Sequence, residues 1–220
     1  MEFEGEYLYN TIIKGKDYIK GRLEFEGDYL YNNKWNGKGY DENGNIIYEL
    51  INGNGKVKEY EDGELIFEGE YLSGKRNGKG KEYDDEGKLE FEGEYLNGKR
   101  NGKGKEYYFN KKLLFEGEYS NNKRWNGKGY DENGNIMYEL FNGNGKVKEY
   151  DWTRRNIFEG EYLNGDRWNG KIKIYNEIGE LSLEIEIENG KEKEVIEYWK
   201  WYWRVNYSIK INLKWEGLNN

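Results

Sequence analysis

Aromatic and glycine residues alternate with charged residues along most of the chain. The clearest example is Phe67-Glu-Gly-Glu-Tyr71, in which every second residue is aromatic or glycine and the residues between them are glutamates. This alternation is typical of a β-strand that has one buried and one exposed face. No segment shows the apolar spacing of an amphipathic helix. The sequence therefore predicts an all-β fold.

The same strand pattern recurs at intervals of 19 to 25 residues. A period of this length predicts stacked repeats, about eight in number. Residues 25–60 and 115–150 are in addition nearly identical. The motif Phe-Glu-Gly begins at Phe3, Phe25, Phe67, Phe91, Phe115 and Phe158, and degenerate versions begin at Tyr48, Tyr138 and Leu183.

Each repeat is predicted to be a β-hairpin, because two strand-like segments alternate with glycine-rich connections. Asn77-Gly78 is expected to supply the positive φ that a hairpin turn needs. The repeats at 48–57 and 138–147 are shorter at this point and predict a tight Asn-Gly turn. In the repeat 67–90 the predicted parts are a strand 67–71, a connection 74–78, a strand 79–83 and a turn 84–87.

Stacked hairpins predict an elongated, twisted antiparallel sheet. We expect a single domain overall, in which residues 1–190 form the repeats and residues 191–220 form a divergent aromatic β cap. The cap is expected because a repeat array must cover its terminal hydrophobic face.

Glycines in the middle of the strands predict how the two faces are used. Gly69 lies between Phe67 and Tyr71 on one face, and Gly93, Gly117 and Gly160 have the same setting. We expect the missing side chains to leave slots for neighbouring aromatic rings. On the other face, Glu68 and Glu70 are expected opposite Lys79 and Lys81. Such cross-strand pairs contribute about 0.2–1 kcal/mol each.

The amino-acid composition disfavours several classes of function. The chain has 35 Lys and Arg against 43 Asp and Glu, a balance that does not favour binding to nucleic acid or to anionic lipid. It has no Cys and no His, the usual residues of thiolate metal sites and of general-base catalysis. The glutamates recur at repeat positions facing lysines, and no unique carboxylate pair stands apart. We therefore expect a protein that is not an enzyme and needs no cofactor.

No apolar run approaches the length of about 20 residues that spans a membrane, and the first residues do not resemble a signal peptide. The expected location is cytoplasmic.

The unit from Phe67 to Gly80 resembles the MORN (membrane occupation and recognition nexus) repeat. That pattern is aromatic-x-Gly-x-aromatic, followed by Gly and then by Gly-x-Gly, and it is matched best over 67–109 and well over 1–180. The resemblance implies an elongated antiparallel sheet that serves as a scaffold, oligomerisation module or protein-binding module. Phospholipid binding has been proposed for the family, but the acidic balance here makes lipid a poor candidate.

Three tryptophans in the hairpin connections, Trp35, Trp125 and Trp168, are candidate binding residues. Each precedes Asn-Gly, and other repeats have Arg76 or Arg100 in this place. Trp and Arg are both enriched in interaction hot spots. Each ring is alternatively expected to pack on its own hairpin end or on a glycine of a neighbour.

The last part of the chain alternates apolar and polar residues from Trp199 to Trp215 without a glycine. Its length predicts two strands that turn near Asn206, after a hairpin closed by Asn189-Gly190. The segment is interpreted either as the end cap or as an assembly strand that docks on another subunit. Its candidate contact residues are Trp199, Trp201, Trp203, Tyr207 and Trp215.

The segments Asp-Glu-Asn-Gly-Asn at 41–45 and 131–135 superficially suggest calcium loops. They lack the spaced carboxylates and the final Glu of an EF-hand. Turn formation by Asp and Asn explains them better.

Several functions remain open from the sequence alone. The leading hypothesis is a non-catalytic scaffold for protein–protein interaction. The alternative is a self-assembling structural protein, in which strand 3–8 and the aromatic tail form an end-to-end joint, as a dimer or a longer oligomer. Related hairpin repeats in bacterial antitoxins suggest a toxin-neutralising binder, and the Trp/Tyr/Gly-rich composition suggests a carbohydrate-binding module.

Overall fold

The structure is a computed structural model that describes residues 2–61, 63–151, 153, 155–198 and 208–211, with side chains described as far as residue 193. The chain forms two compact units, Met1–Asn122 and Lys123–Asn220, which we describe separately. The first unit contains β1 (Glu2–Leu8), β2 (Thr11–Ile19), β3 (Arg22–Leu30), β4 (Asn33–Tyr40), β5 (Ile46–Leu50), β6 (Gly55–Glu61), β7 (Glu64–Leu72), β8 (Lys75–Tyr83), β9 (Leu89–Leu96), β10 (Lys99–Tyr107) and β11 (Leu113–Ser120). The second unit contains β12 (Lys123–Tyr130), β13 (Ile136–Leu140), β14 (Gly145–Tyr150), β15 (Asn156–Leu163), β16 (Asp166–Tyr175), β17 (Leu181–Glu188), β18 (Lys191–Tyr198) and β19 (Ser208–Ile211).

Within the first unit, β1–β5 form one antiparallel sheet and β6–β11 are neighbours in another, each in chain order. Within the second unit, β12 pairs with β13, and β14–β19 follow one another in a sheet. The prediction of an all-β chain of successive antiparallel hairpins is therefore confirmed. The described residues contain nine strands that begin a repeat, namely β1 and every second strand up to β17, close to the predicted number of about eight. The irregular sequence at 9–22 forms an ordinary strand, β2.

The predicted position of the hairpin turn is wrong. The chain turns at Ser73 and Gly74, whose φ angles of 53° and 78° suit a two-residue hairpin turn. Asn77-Gly78 lies inside β8, where the register against β7 shifts. Gly78, with φ of 82°, belongs to this bulge and not to a turn. The predicted connection contains two glycines, Gly74 and Gly78, and the two-residue turn forms at the first of them.

The turns between repeats are as predicted. In the turn after β8, the backbone N–H of Gly87 donates to the carbonyl of Asp84 at 2.9 Å. The Asp84 carboxylate also accepts hydrogen bonds from the N–H groups of Glu86 and Lys88. An aspartate that bonds the backbone of its own turn is a common turn-former.

The aromatic core confirms the predicted glycine slots. The Phe67 ring lies across Gly69 and Gly80, so that a methyl group on either glycine would lie 2.6 Å from the ring. Tyr95 of the next repeat meets the Phe67 ring edge-on, with 5.3 Å between ring centroids, and the Phe91 ring in the same way at 5.6 Å. Each phenylalanine is thus held by backbone on one side and by tyrosines at its edge. The fully buried rings are Phe25, Phe67, Phe91, Phe115 and Phe158.

The first shortened repeat separates the two sheets of the first unit. Asn52 and Gly53 form the predicted tight turn, with φ angles of 53° and 73°. Beyond the single bridge between Ile51 and Asn54, however, β5 and β6 do not pair and belong to different sheets. Leu50 and Val57 occupy positions at which other repeats have slot glycines, and both side chains are buried. Side-chain packing replaces backbone pairing at this corner. The second shortened repeat has the same bridge, between Phe141 and Asn144.

Candidate binding groove

The six strands β6–β11 carry two rows of charged residues on the face opposite the phenylalanines. Each strand contributes two residues of one sign, and the sign alternates from one strand to the next, as the strand register shows. The predicted charge ladder is therefore confirmed in these strands. The first row is Lys58, Glu68, Lys81, Glu92, Lys105 and Glu116, and the second is Lys56, Glu70, Lys79, Glu94, Lys103 and Glu118.

The space between the two rows is a groove of about 890 Å³. The groove floor contains glycines that pair across successive strands, for example Gly69 with Gly80 and Gly80 with Gly93. A side chain at Gly69 or Gly80 would point to the aromatic face, so the floor on the charged face is backbone between two charged walls.

The charges along the groove are held in place but stay accessible. Lys105 lies 3.2 Å from Glu116 and Lys81 lies 3.7 Å from Glu68, and all four side chains are at least one-third exposed. Exposed pairs of this kind contribute at most about 1 kcal/mol each, because water screens both charges. The walls are therefore available to a partner that offers opposite charges.

Two tyrosine hydroxyls orient carboxylates of the first row. The Tyr83 hydroxyl donates to Glu68 at 2.7 Å, and the Tyr107 hydroxyl donates to Glu92 at 2.6 Å. Burial, together with the adjacent carboxylate, raises the pKa of each of these tyrosines to about 12. Both hydroxyls therefore stay protonated at neutral pH and keep the carboxylates in a fixed orientation.

The three connection tryptophans cover glycines of the next hairpin turn. A methyl group at Gly53 would lie 2.9 Å from the Trp35 ring, and one at Gly143 would lie 2.8 Å from the Trp125 ring. Trp168 lies over Gly190 in the same way. All three side chains are half-buried. The geometry matches packing on a neighbour's glycine, and the role of these residues as binding anchors stays a prediction.

Trp35 and Arg76 occupy equivalent positions in the sequence repeats, but their side chains occupy different positions in the structure. Both carbonyls accept a hydrogen bond from the next hairpin turn, Trp35 from Gly53 and Arg76 from Gly98. Lys34, however, pairs with Tyr29 as Arg76 pairs with Tyr71. Trp35 lies within the register shift between β3 and β4, between Lys34, which pairs with Tyr29, and Asn36, which pairs with Asp28. Lys34, and not Trp35, therefore occupies the structural position that Arg76 has in its own repeat.

These cations form a network on the aromatic face that sequence reasoning missed. Arg76 makes hydrogen bonds of 2.9 and 2.8 Å to the carboxylate of Glu59 and one of 2.8 Å to Glu82. Arg100 repeats the arrangement between Glu82 and Glu106. The recurrence of a Lys or Arg five residues after the repeat tyrosine was the available signal.

The remaining predicted sites divide into two groups. Asp41 accepts hydrogen bonds from the backbone N–H groups of Asn43 and Asn45, and Asp131 does the same in its own turn, so the interpretation as turns is confirmed. The hairpin closed by Asn189-Gly190 is also confirmed. The tail residues Trp199, Trp201, Trp203, Tyr207 and Trp215 lie outside the described residues.

Comparison with protein families agrees with the repeat geometry. The model of the MORN repeat variant matches three consecutive segments, residues 76–97, 100–121 and 126–142. No curated protein matches the chain. Nowhere in the described part of the chain is there a helix suited to crossing a membrane. The first two matched segments lie in the strands that build the groove, so the repeats of this part of the chain are similar to the MORN repeat variant.

Proposed function

We propose that the chain is a non-catalytic scaffold that binds a protein partner in the groove of β6–β11. The observation that carries this proposal is the pair of charged rows on either side of a glycine floor. MORN repeats are in general modules that interact with proteins or membranes, and they form a non-enzymatic family.

The pattern of charge favours a protein over an anionic polymer or an anionic surface. Lysine stripes and glutamate stripes are equal in number along the groove. A phosphate backbone or an anionic bilayer would gain from the lysines but would be repelled by every second strand. A polypeptide, by contrast, offers both signs on one segment, and complementary charges give specificity and a faster association.

The length of the groove sets the size of the segment. Six strands spaced by about 4.8 Å span about 24 Å, which corresponds to about seven residues of extended chain. The occupant is therefore a short segment of mixed charge that runs across the strands. Binding is expected to weaken as salt concentration rises, because the walls are exposed.

Affinity capture with matched variants tests the proposal. The groove variant carries Lys81→Gln and Lys105→Gln, which remove two of the three lysine charges of the first row and keep a polar side chain at each position. The control variant carries Lys128→Gln and Lys148→Gln. These lysines form the same kind of ladder pair, with Glu139 at 3.3 Å and Glu159 at 2.8 Å, in the second unit.

A protein retained by the wild type and the control, and lost from the groove variant, supports the proposal. Equal retention of the same proteins by all three forms contradicts it, provided that circular dichroism shows the variants to be folded.

Self-association is a second candidate, and the edge of the first sheet favours it. Among the described residues, β1 pairs with β2 alone, which leaves one row of its backbone groups unpaired. Tyr7, Leu8 and Tyr9 at the end of this strand are 59, 54 and 93% exposed. Light scattering over a concentration series tests this candidate. A mass that grows with concentration in the wild type but not in Leu8→Lys supports assembly, and a constant mass excludes it.

A further inference from the structure

A cavity of about 300 Å³ lies where the two sheets of the first unit meet. Its wall combines carboxylates with tyrosines, a composition found nowhere along the groove. Asp17 and Glu24 come from the first sheet and Glu59 from the second. Tyr48 and Tyr71 supply aromatic surface from β5 and β7. The separation of β5 from β6 at the shortened repeat opens this space.

One carboxylate that lines the cavity has an oxygen without a partner. Lys34 lies between Asp17 and Glu24, 3.3 Å from one and 3.2 Å from the other. The second oxygen of Glu24, Oε2, is buried without a hydrogen-bond partner among the described residues, and Glu24 is only 6% exposed. A buried carboxylate oxygen without a donor is costly, so its retention needs an explanation.

The fold does not require an acidic residue at this position. Glu24 precedes the repeat phenylalanine, and three other repeats have Ile66, Leu114 and Ile157 in the same place. The other acidic examples are Glu2, which is exposed, and Glu90, whose side chain is 56% exposed. An apolar residue therefore suits the repeat, and the buried Glu24 is a departure from it.

The electrostatics of the cavity favour a cation. Four carboxylates line it, those of Asp17, Glu24, Glu59 and Glu61, against the single ammonium of Lys34. Arg76 approaches from β8 but is already bonded to Glu59. Burial raises the pKa of Tyr48, and the charges of Glu24, Glu59 and Asp17 raise it further, as expected where the potential is negative.

We propose that this cavity binds a primary alkylammonium group, which donates a hydrogen bond to Oε2 of Glu24 and lies against the tyrosine rings. An ammonium carries three donors and is attracted to aromatic faces. A metal ion is a poorer match, because the described residues include no cluster of three carboxylates placed to hold one. The volume admits a short alkylamine or the end of a lysine side chain.

The test is a chemical-shift titration of the full chain with n-butylammonium chloride, followed on the amide signals of Tyr48 and Val57. The neutral analogue n-butanol is the control ligand. We expect saturable binding of n-butylammonium that is weakened about tenfold or more in Glu24→Leu and in Glu24→Gln. Glu24→Leu introduces the residue type that other repeats use, so it is expected to fold. Glu90→Leu, the same change at the same repeat position outside the cavity, is expected to bind as the wild type does.

A second ligand separates the two sources of the ammonium group. Nα-acetyl-lysine methylamide presents the group as a protein would. Saturable binding of both ligands indicates that the cavity accepts a lysine side chain, and binding of n-butylammonium alone indicates a free amine. Absence of saturable binding for both ligands overturns the proposal, as does an affinity in Glu24→Leu equal to that of the wild type.

Discussion

Arg76 covers the ring of Phe67, with its guanidinium carbon 4.1 Å from the ring centroid. Arg100 lies over Phe91 at 4.2 Å in the next repeat. Each phenylalanine is therefore enclosed by glycine backbone below, tyrosine edges beside it and an arginine above. The arginine acts as the second layer that a sheet otherwise obtains from a helix or another sheet.

Replacement of Arg76 by Ala is expected to lower the free energy of unfolding by about 2–3 kcal/mol. The change exposes the Phe67 ring and leaves the carboxylate of Glu59 without its bidentate partner. Chemical denaturation followed by circular dichroism measures the loss. Lys81→Ala, in the exposed ladder, is the control and is expected to cost less than about 1 kcal/mol. Equal losses for the two variants would show that the arginine is only a surface residue.

Replacement of Gly80 by Ala is expected to destabilise the chain by about 1–3 kcal/mol or to prevent folding. The new methyl group would lie 2.6 Å from the Phe67 ring, which backbone holds on the other side. Gly87→Asn is the matched control. Its turn has a φ of 71°, which Asn tolerates, and no atom lies within 4 Å of the added carbon. A stable Gly80→Ala protein with an unchanged melting temperature is incompatible with the slot.

Replacement of Trp35 by Ala separates its packing role from a binding role. Because the ring covers Gly53, we expect a loss of about 1–3 kcal/mol in stability, less than for a fully buried tryptophan. We expect capture of the groove partner to persist in the folded variant. A variant of unchanged stability that no longer binds the partner would instead identify Trp35 as an anchor.

Stability at high pH is expected to depend on Tyr83. Its pKa in the folded chain is raised to about 12, mainly by burial and then by the hydrogen bond to Glu68, whereas the unfolded value is about 10. The unfolded state therefore ionises first, so the contribution is complete below about pH 10 and is lost as pH rises towards about 12. Denaturation at pH 9 and pH 11 is expected to show a smaller decline for Tyr83→Phe than for the wild type. An equal decline would mean that this hydroxyl contributes nothing.

Much of the fold could be predicted because single residue types indicate local features such as a ring contact or the face of a strand. A glycine two residues after Phe67 predicts that an aromatic ring occupies the space of the missing side chain, and the structure shows that contact. Alternation of Glu68 with Gly69 fixes which residues share a face, so the charge ladder followed as well. The turn at Ser73-Gly74 was missed because Asn77-Gly78 is the stronger local signal, although its glycine serves in a bulge.

The features that depend on contacts between repeats were not predictable in the same way. Arg76 was assigned to a connection, and only the register of β8 against β7 places its side chain over Phe67. The cavity around Glu24 exists because Leu50 and Val57 separate two sheets, and the sequence showed only a shorter turn there. The arginine left only the recurrence of a Lys or Arg five residues after the repeat tyrosine, and the cavity leaves no periodic signal because it joins strands from different hairpins.

Lysine footprinting of the complex tests the central proposal most directly. The partner isolated on the wild type is bound, free amines are acetylated briefly, and the labelling rate of each lysine is measured by mass spectrometry. We predict that the partner slows labelling of Lys79, Lys81, Lys103 and Lys105 in the groove but not of Lys128 and Lys148. Unchanged labelling of the groove lysines in a complex that has formed would contradict the assignment of this face as the binding surface.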